Sequence, residues 1–171
     1  MSSDAIRQSI QKATTYLREH PAEARYTDSV ATATLERGLR IKVQGASGEQ
    51  IATDMPASVG GEGSAPSPGW LFRAALASCE ATLIAMHASV EGIELNQLEV
   101  VVDSESDDQG ILGIDEAVPA GPLRIRVRVR LSAAKASNAA LRELAAWGHR
   151  HCPVSDAASR AIETSLEVEI A

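Results

Sequence analysis

Cys79 and Cys152 are the two cysteines of this 171-residue chain, and each stands where a reactive thiol would be carried. Cys79 falls midway along an alanine-rich run, Trp70-Leu71-Phe72-Arg73-Ala74-Ala75-Leu76-Ala77-Ser78-Cys79, and Cys152 immediately precedes Pro153-Val154-Ser155-Asp156, the start of a further helix. Two thiols on two helices can become one redox pair. The reactive species is the thiolate, and an ordinary thiol titrating near 8.5 is only about 3% ionised at pH 7. Lowering that value by two units needs about 2.7 kcal/mol of preferential stabilisation of the anion. For Cys152 a source is readable. A residue just ahead of Pro153 occupies a helix N-cap, where unpaired amides and the positive end of the helix dipole favour an anion, and His149 and His151 stand beside it. Cys79 has no such source, because a mid-helix thiol on an apolar stripe is desolvated and pushed upward. Arg73, Glu80 and His87 recur at steps of seven, so they share a face with one another and away from Cys79. A cation serving Cys79 then comes from another segment or another subunit.

Other chemistries fit less well. His149, His151, Cys152 and Cys79 are zinc-type ligands, but His-x-His-Cys lacks the second close ligand pair of a sequence-recognisable site, and no metal is expected. Ser78 and Ser155 are not set in a G-x-S-x-G elbow. A net charge of -7 argues against nucleic acid or an anionic membrane as partner. The first residues lack the charged and apolar regions of a secretion signal, and no run of about 18 apolar residues offers a membrane span. The cytoplasm is the expected address, where a disulfide is transient and catalytic rather than structural.

The elements that must position the thiols follow from periodicity. Ile6, Ile10, Ala13 and Leu17 predict an amphipathic helix from Ser3 to about His20, stopped by Pro21, and residues 1–25 read as a helical extension to a single domain of residues 26–171. Period-two alternation predicts a hairpin of Val30–Leu35 and Leu39–Val43. A Gly/Pro/Ser-dense loop, Met55 to Gly69, delivers the chain into the Cys79 helix, whose stripe of Leu71, Ala75, Leu76, Cys79, Leu83 and Met86 runs to Glu91-Gly92. With alanine so frequent there, a second helix can pack very close. Leu98–Val102 and Leu123–Leu131 predict strands. The arginines at 124, 126, 128 and 130 alternate with apolar residues, as glutamates do in Leu166-Glu167-Val168-Glu169-Ile170, which predicts that these last two are sheet neighbours. Ser137-Asn138 opens a helix to Gly148, and Pro153 opens another to Ala161. The order indicates an α+β domain with helices on one side of antiparallel sheet.

The loop, the run Arg73-Ala74-Ala75-Leu76-Ala77-Ser78-Cys79, the helix end Glu91-Gly92-Ile93 and the later His151-Cys152-Pro153-Val154-Ser155 together resemble the OsmC/Ohr family of thiol-dependent hydroperoxide reductases, from about Ser29 to Ile170. The resemblance implies an intertwined homodimer in which antiparallel sheets wrap around long central helices. It implies that Cys79 is oxidised by an organic hydroperoxide to a sulfenic acid and that Cys152 resolves it as a disulfide, to be reduced by a dithiol such as a lipoylated protein, with no cofactor. Active members carry a glutamate at the start of the cysteine helix and an arginine in the preceding loop. Here Gly69 and Trp70 stand at the matching positions, and the loop from Asp54 to Pro68 has no arginine and only Glu62 as an ionisable group beyond Asp54. Arg73 or an arginine from elsewhere then takes that part. The alternative is an OsmC-like protein that binds a small apolar ligand at the dimer interface, where Trp70 shapes the pocket, without turnover.

Overall fold

The computed structural model describes residues 2–170. It is an α+β chain that clusters into two compact units, one of residues 8–75 and one of residues 1–7 with 76–171.

In the first unit, helix α1 (Ser3–Glu19), which starts in the other unit, runs to Glu19 and buries none of its side chains, so its apolar positions are not core. A single turn, Pro21–Ala24, follows. Strands β1 (Ala31–Arg37), β2 (Arg40–Gly45) and β3 (Gln50–Thr53) make an antiparallel sheet in that order. The predicted hairpin is β1–β2, turned at Gly38 with φ +51°, a backbone setting in which glycine meets no Cβ penalty. The short β3 is an element the alternation did not single out.

The loop that follows is ordered by one carboxylate. Asp54 is buried, and its Oδ2 accepts the Ser64 hydroxyl at 2.8 Å and the amides of Ser64 and Glu62 at 2.9 and 3.3 Å, while Oδ1 accepts the Met55 amide at 2.8 Å. These bonds, the Ser64 pair foremost, hold the Asp54 carboxyl below its ordinary 3.8. A carboxyl lowered on folding supports the fold above its unfolded value and loses that support as pH falls through the folded one. Acidification below about pH 3.8 is therefore expected to loosen residues 54–64 ahead of global unfolding, and Asp54→Asn to show the same loss at pH 7; amide exchange of Ser64 and Glu62 reads both. Unchanged Ser64 protection in the variant would refute this.

Helix α2 (Pro68–Val90) starts with Ser67 Oγ accepting the Trp70 amide at 3.2 Å, and ends where Gly92, at φ +68°, lets the Ile93 amide reach the Ala88 carbonyl at 2.8 Å. Its buried side chains are Leu76, Glu80, Ile84, Ala88 and Ser89. The stripe read from the sequence is thus displaced: Met86 and Ala75 are exposed, and a carboxylate lies within the buried row. Steps of four rather than mixed three and four define the inner face.

The second unit holds β4 (Gln97–Glu105), a short helix α3 (Asp108–Ile111), β5 (Arg124–Ser132), α4 (Asn138–Arg150) and α5 (Pro153–Ser159). Ile84 and Ala88 of α2 and Leu144 of α4 form its core, closed by Leu98 and Val100 of β4 and Val129 and Leu131 of β5. The β4–β5 register sets Val100 opposite Val129 and Val102 opposite Val127. On the other face Arg126 and Arg128 meet Asp103 at 2.8 and 2.6 Å, and Arg130 meets Glu99 at 3.3 Å. The arginines are at least half exposed, so water screens these pairs and they add little to stability.

Here the structure corrects the sequence reading. The acids opposite β5 are those of β4, not Glu167 and Glu169. Among the described residues, 161–170 form no strand, and Leu166, Val168 and Ile170 are 88%, 72% and 94% exposed. Alternation identifies a strand-forming segment but not its partner.

Candidate functional site

The second unit brings both cysteines to one place. Cys152 caps α5 ahead of Pro153 and is wholly buried, and its Sγ accepts the Ser155 amide at 3.4 Å. Cys79, half-buried on α2, is near enough that its side chain adds to the upward push on the Cys152 thiol, and both thiols are free. The junction of α4 and α5 makes this arrangement: α4 ends as the Cys152 amide reaches the His149 carbonyl at 3.4 Å, and Pro153 opens α5.

The electrostatics of Cys152 differ from the expectation drawn from its N-cap position. Burial, reinforced by the neighbouring Cys79, pushes its thiol up to about 11, outweighing the Ser155 amide that favours the anion. The seven-residue α5 offers too few aligned peptides to reverse the loss of water. Cys152 is therefore a protonated thiol at neutral pH. Because the folded chain holds this proton more tightly than an unfolded chain titrating near 9.0, the site's contribution to stability is complete below pH 9 and is lost as pH rises towards 11. The urea midpoint is expected to fall more steeply over that range in the native chain than in Cys152→Ser, and equal slopes would contradict this assignment.

Glu80 is the site residue that the sequence reading set aside. It is 0% exposed, and its Oε1 lies 2.7 Å from His149 Nδ1, which is also 3.5 Å from Ser155 Oγ. Its Oε2, also buried, has no hydrogen-bond partner among the described residues. The face shared by Arg73, Glu80 and His87 is buried at its centre. The signal was available: an acid four residues from both Leu76 and Ile84 in a helix otherwise poor in charge must either distort the row or bring a partner inside. A cavity of about 620 Å³ opens beside the pair, lined by Leu76, Glu80, Arg124, Ile125, His149 and Ser155.

His151 and His149 part company. His151 stacks on Trp147 at 4.1 Å, and Trp147 stacks in turn on His87 at 3.9 Å. His151 Nδ1 lies 2.8 Å from the Trp147 carbonyl oxygen. Among the described residues no three His, Cys, Asp or Glu side chains converge as a metal site. Glu62, Trp70 and Arg73 belong to the other unit. There Glu62 is paired with Arg37 at 2.9 Å, and Trp70, half exposed, lines a cavity of about 460 Å³ with Arg73, Asp54, Pro56 and Pro66. No helix of the described residues is long and apolar enough to cross a membrane.

A family model described as "OsmC-like protein" matches residues 61–167. No curated protein matches the chain. Solved structures with a similar fold include an organic hydroperoxide resistance protein OsmC from Legionella pneumophila, at 24% identity over 79% of this chain and 91% of that one, with a TM-score of 0.58. An OsmC-like protein from Mycoplasma pneumoniae is 18% identical over 77% and 87%, TM-score 0.64. The organic hydroperoxide resistance protein OhrB of Bacillus subtilis is 21% identical over 78% and 91%, TM-score 0.51.

Proposed function

The chain belongs to the OsmC-like protein family, and from that premise we propose that it reduces organic hydroperoxides with Cys79 and Cys152. Cys79 attacks the outer peroxide oxygen: an S–O bond forms, the O–O bond breaks, and the alcohol leaves with the thiol's proton. Cys152 then attacks the sulfenic sulfur, forming the disulfide and releasing water. A dithiol, of the kind carried by lipoylated proteins, returns both sulfurs to thiols. The observation that carries this reading is the proximity of two free thiols, close enough for Cys79 to perturb Cys152, in a chain with no third cysteine. A protonated Cys152 leaves the first step to Cys79, since it does not compete for peroxide.

The active form in this proposal is a homodimer in the cytoplasm, with residues 1–25 as an appendage to the domain of residues 26–171. The nearly bare apolar side chains of Leu166 and Ile170 favour cover by a second copy. Mixing reduced protein with cumene or t-butyl hydroperoxide and counting free thiols tests the reading. Both thiols are expected to vanish together within seconds. Reaction no faster than that of free cysteine would leave the chain a binding protein on the same scaffold.

A further inference from the structure

We propose that the loop between β4 and β5 is a docking surface for another protein, one that offers an apolar pocket rimmed by lysine or arginine. Ile111, Leu112 and Ile114 lie on this loop, and each is more than half exposed. Single apolar residues in water are ordinary. Three large aliphatic side chains within four consecutive residues make a concentrated patch, and such patches mark places where another surface settles.

The loop is built to hold these side chains out. Glu105 and Arg124 stand opposite each other in the ladder, and two to five residues are enough to join antiparallel neighbours, yet the chain spends residues 106–123 on the connection. The excess is ordered. Asp107 caps α3 by accepting the Gln109 amide at 2.9 Å, the Ile114 amide reaches the Gln109 carbonyl at 2.9 Å, and Asp115 accepts the Ala117 amide at 2.9 Å. The Leu123 amide closes the loop on the Glu105 carbonyl at 2.8 Å. Gly113, between Leu112 and Ile114, sits at φ +65°, where a side chain would be strained. A methyl group at Gly110 would collide with the Pro119 carbonyl, so α3 rests directly on the returning part of the loop. With its inner side closed by backbone, α3 turns its isoleucine and leucine to water.

Charge selects the partner. From Val101 to Leu123 the chain has no lysine, arginine or histidine, while Asp107, Asp108, Asp115 and Glu116 flank the three apolar residues on both sides. The arginines of β5 go to other acids, Arg126 and Arg128 to Asp103 and Arg130 to Glu99, and among the described residues these four carboxylates have no ion-pair partner. Nucleic acid and an anionic lipid surface are repelled by such a rim. A second copy would bring the same acids against one another in a chain of net charge -7. A protein with an apolar centre and a basic rim matches both parts: the aliphatic residues fill the centre, and the acids raise the rate of encounter and fix the register.

The test uses the full chain and a labelled synthetic helical peptide carrying a leucine stripe flanked by lysines, with a glutamate-flanked analogue as control, both followed by fluorescence anisotropy. The native chain is expected to bind the lysine peptide about tenfold or more tightly than the glutamate peptide, with an affinity that falls as salt is added. Ile111→Ser, Leu112→Ser and Ile114→Ser together are expected to lower that affinity about tenfold or more. Asp108→Asn with Glu116→Gln, residues that unlike Asp107 and Asp115 hold none of the bonds given above, is expected to lower it about threefold and to flatten the salt dependence. Protection of the Ile114 amide from exchange reports an intact loop, and the comparison of the two peptides on the native chain decides the matter even where a variant fails to fold. Equal affinity for both peptides, or native affinity in the serine variant, overturns the proposal. So does self-association of the native chain that the serine variant abolishes, which would make a second copy the occupant, or loop-dependent binding to phosphatidylcholine vesicles, which would make it a membrane.

Discussion

Cys79→Ser is expected to abolish hydroperoxide-dependent thiol loss, whereas Cys152→Ser is expected to consume one equivalent of peroxide per chain and stop. The asymmetry follows from the surroundings of the two sulfurs. Cys79 is only half-buried, while Cys152 is enclosed, protonated to about pH 11 and bonded to the Ser155 amide. A serine at 79 leaves an alcohol that no nearby group makes into a competent nucleophile, so the peroxide meets no acceptor for its oxygen and the rate falls to background. A serine at 152 leaves the first chemical step intact and removes the sulfur needed for the second. Cys79 is then left as a sulfenic acid that free thiols or dimedone can capture. Mass spectrometry of the oxidised chains distinguishes these states: one added oxygen for Cys152→Ser, none for Cys79→Ser. Peroxide consumption by Cys79→Ser at the native rate, or an oxygen found on residue 152 in place of 79, would reverse the order of the two thiols.

The features written in local pattern emerged directly. The Cys79 helix begins beside Ser67-Pro68 and ends before Gly92 because capping and termination are decided by adjacent residues. The same holds for α4, where Ser137 Oγ accepts the Ala140 amide at 3.2 Å, and for β5 with its apolar and arginine faces. What pattern could not show was partnership. Four arginines ask only for acids at matching spacing; Asp103 and Glu99 answer from β4, and nothing in the alternation of residues 166–170 ruled those glutamates out. Similarly, Cys152 looked activated because N-capping is local, while its burial is a property of the packed unit and outweighs it. Glu80 was passed over by the same logic: 69 residues separate it from His149, and a contact at that distance leaves no periodic trace.

The close approach of α2 and α4, foreseen from the small residues of α2, was realised by Gly148 of α4 instead, and it carries the largest expected effect on stability. Ile84 is 0% exposed at the centre of the core, so Ile84→Ala is expected to cost about 2–5 kcal/mol. That is a large part of the roughly 5–15 kcal/mol that folds a domain. A methyl group added at Gly148 would collide with Ile84 Cγ1 and stand 3.2 Å from the Ile84 amide nitrogen, so Gly148→Ala is expected to cost about 1–3 kcal/mol even though alanine is the better helix former. The two changes share one volume, and their effects should not add. With the isoleucine side chain truncated, the alanine at 148 loses its main obstacle and fills part of the space left behind, leaving only the backbone contact to accommodate. The double variant is therefore expected to be more stable than the sum of the single losses predicts, by about 1 kcal/mol or more. Urea unfolding of the four proteins measures that difference, and strict additivity would mean that the helices stand further apart at Gly148 than this packing requires.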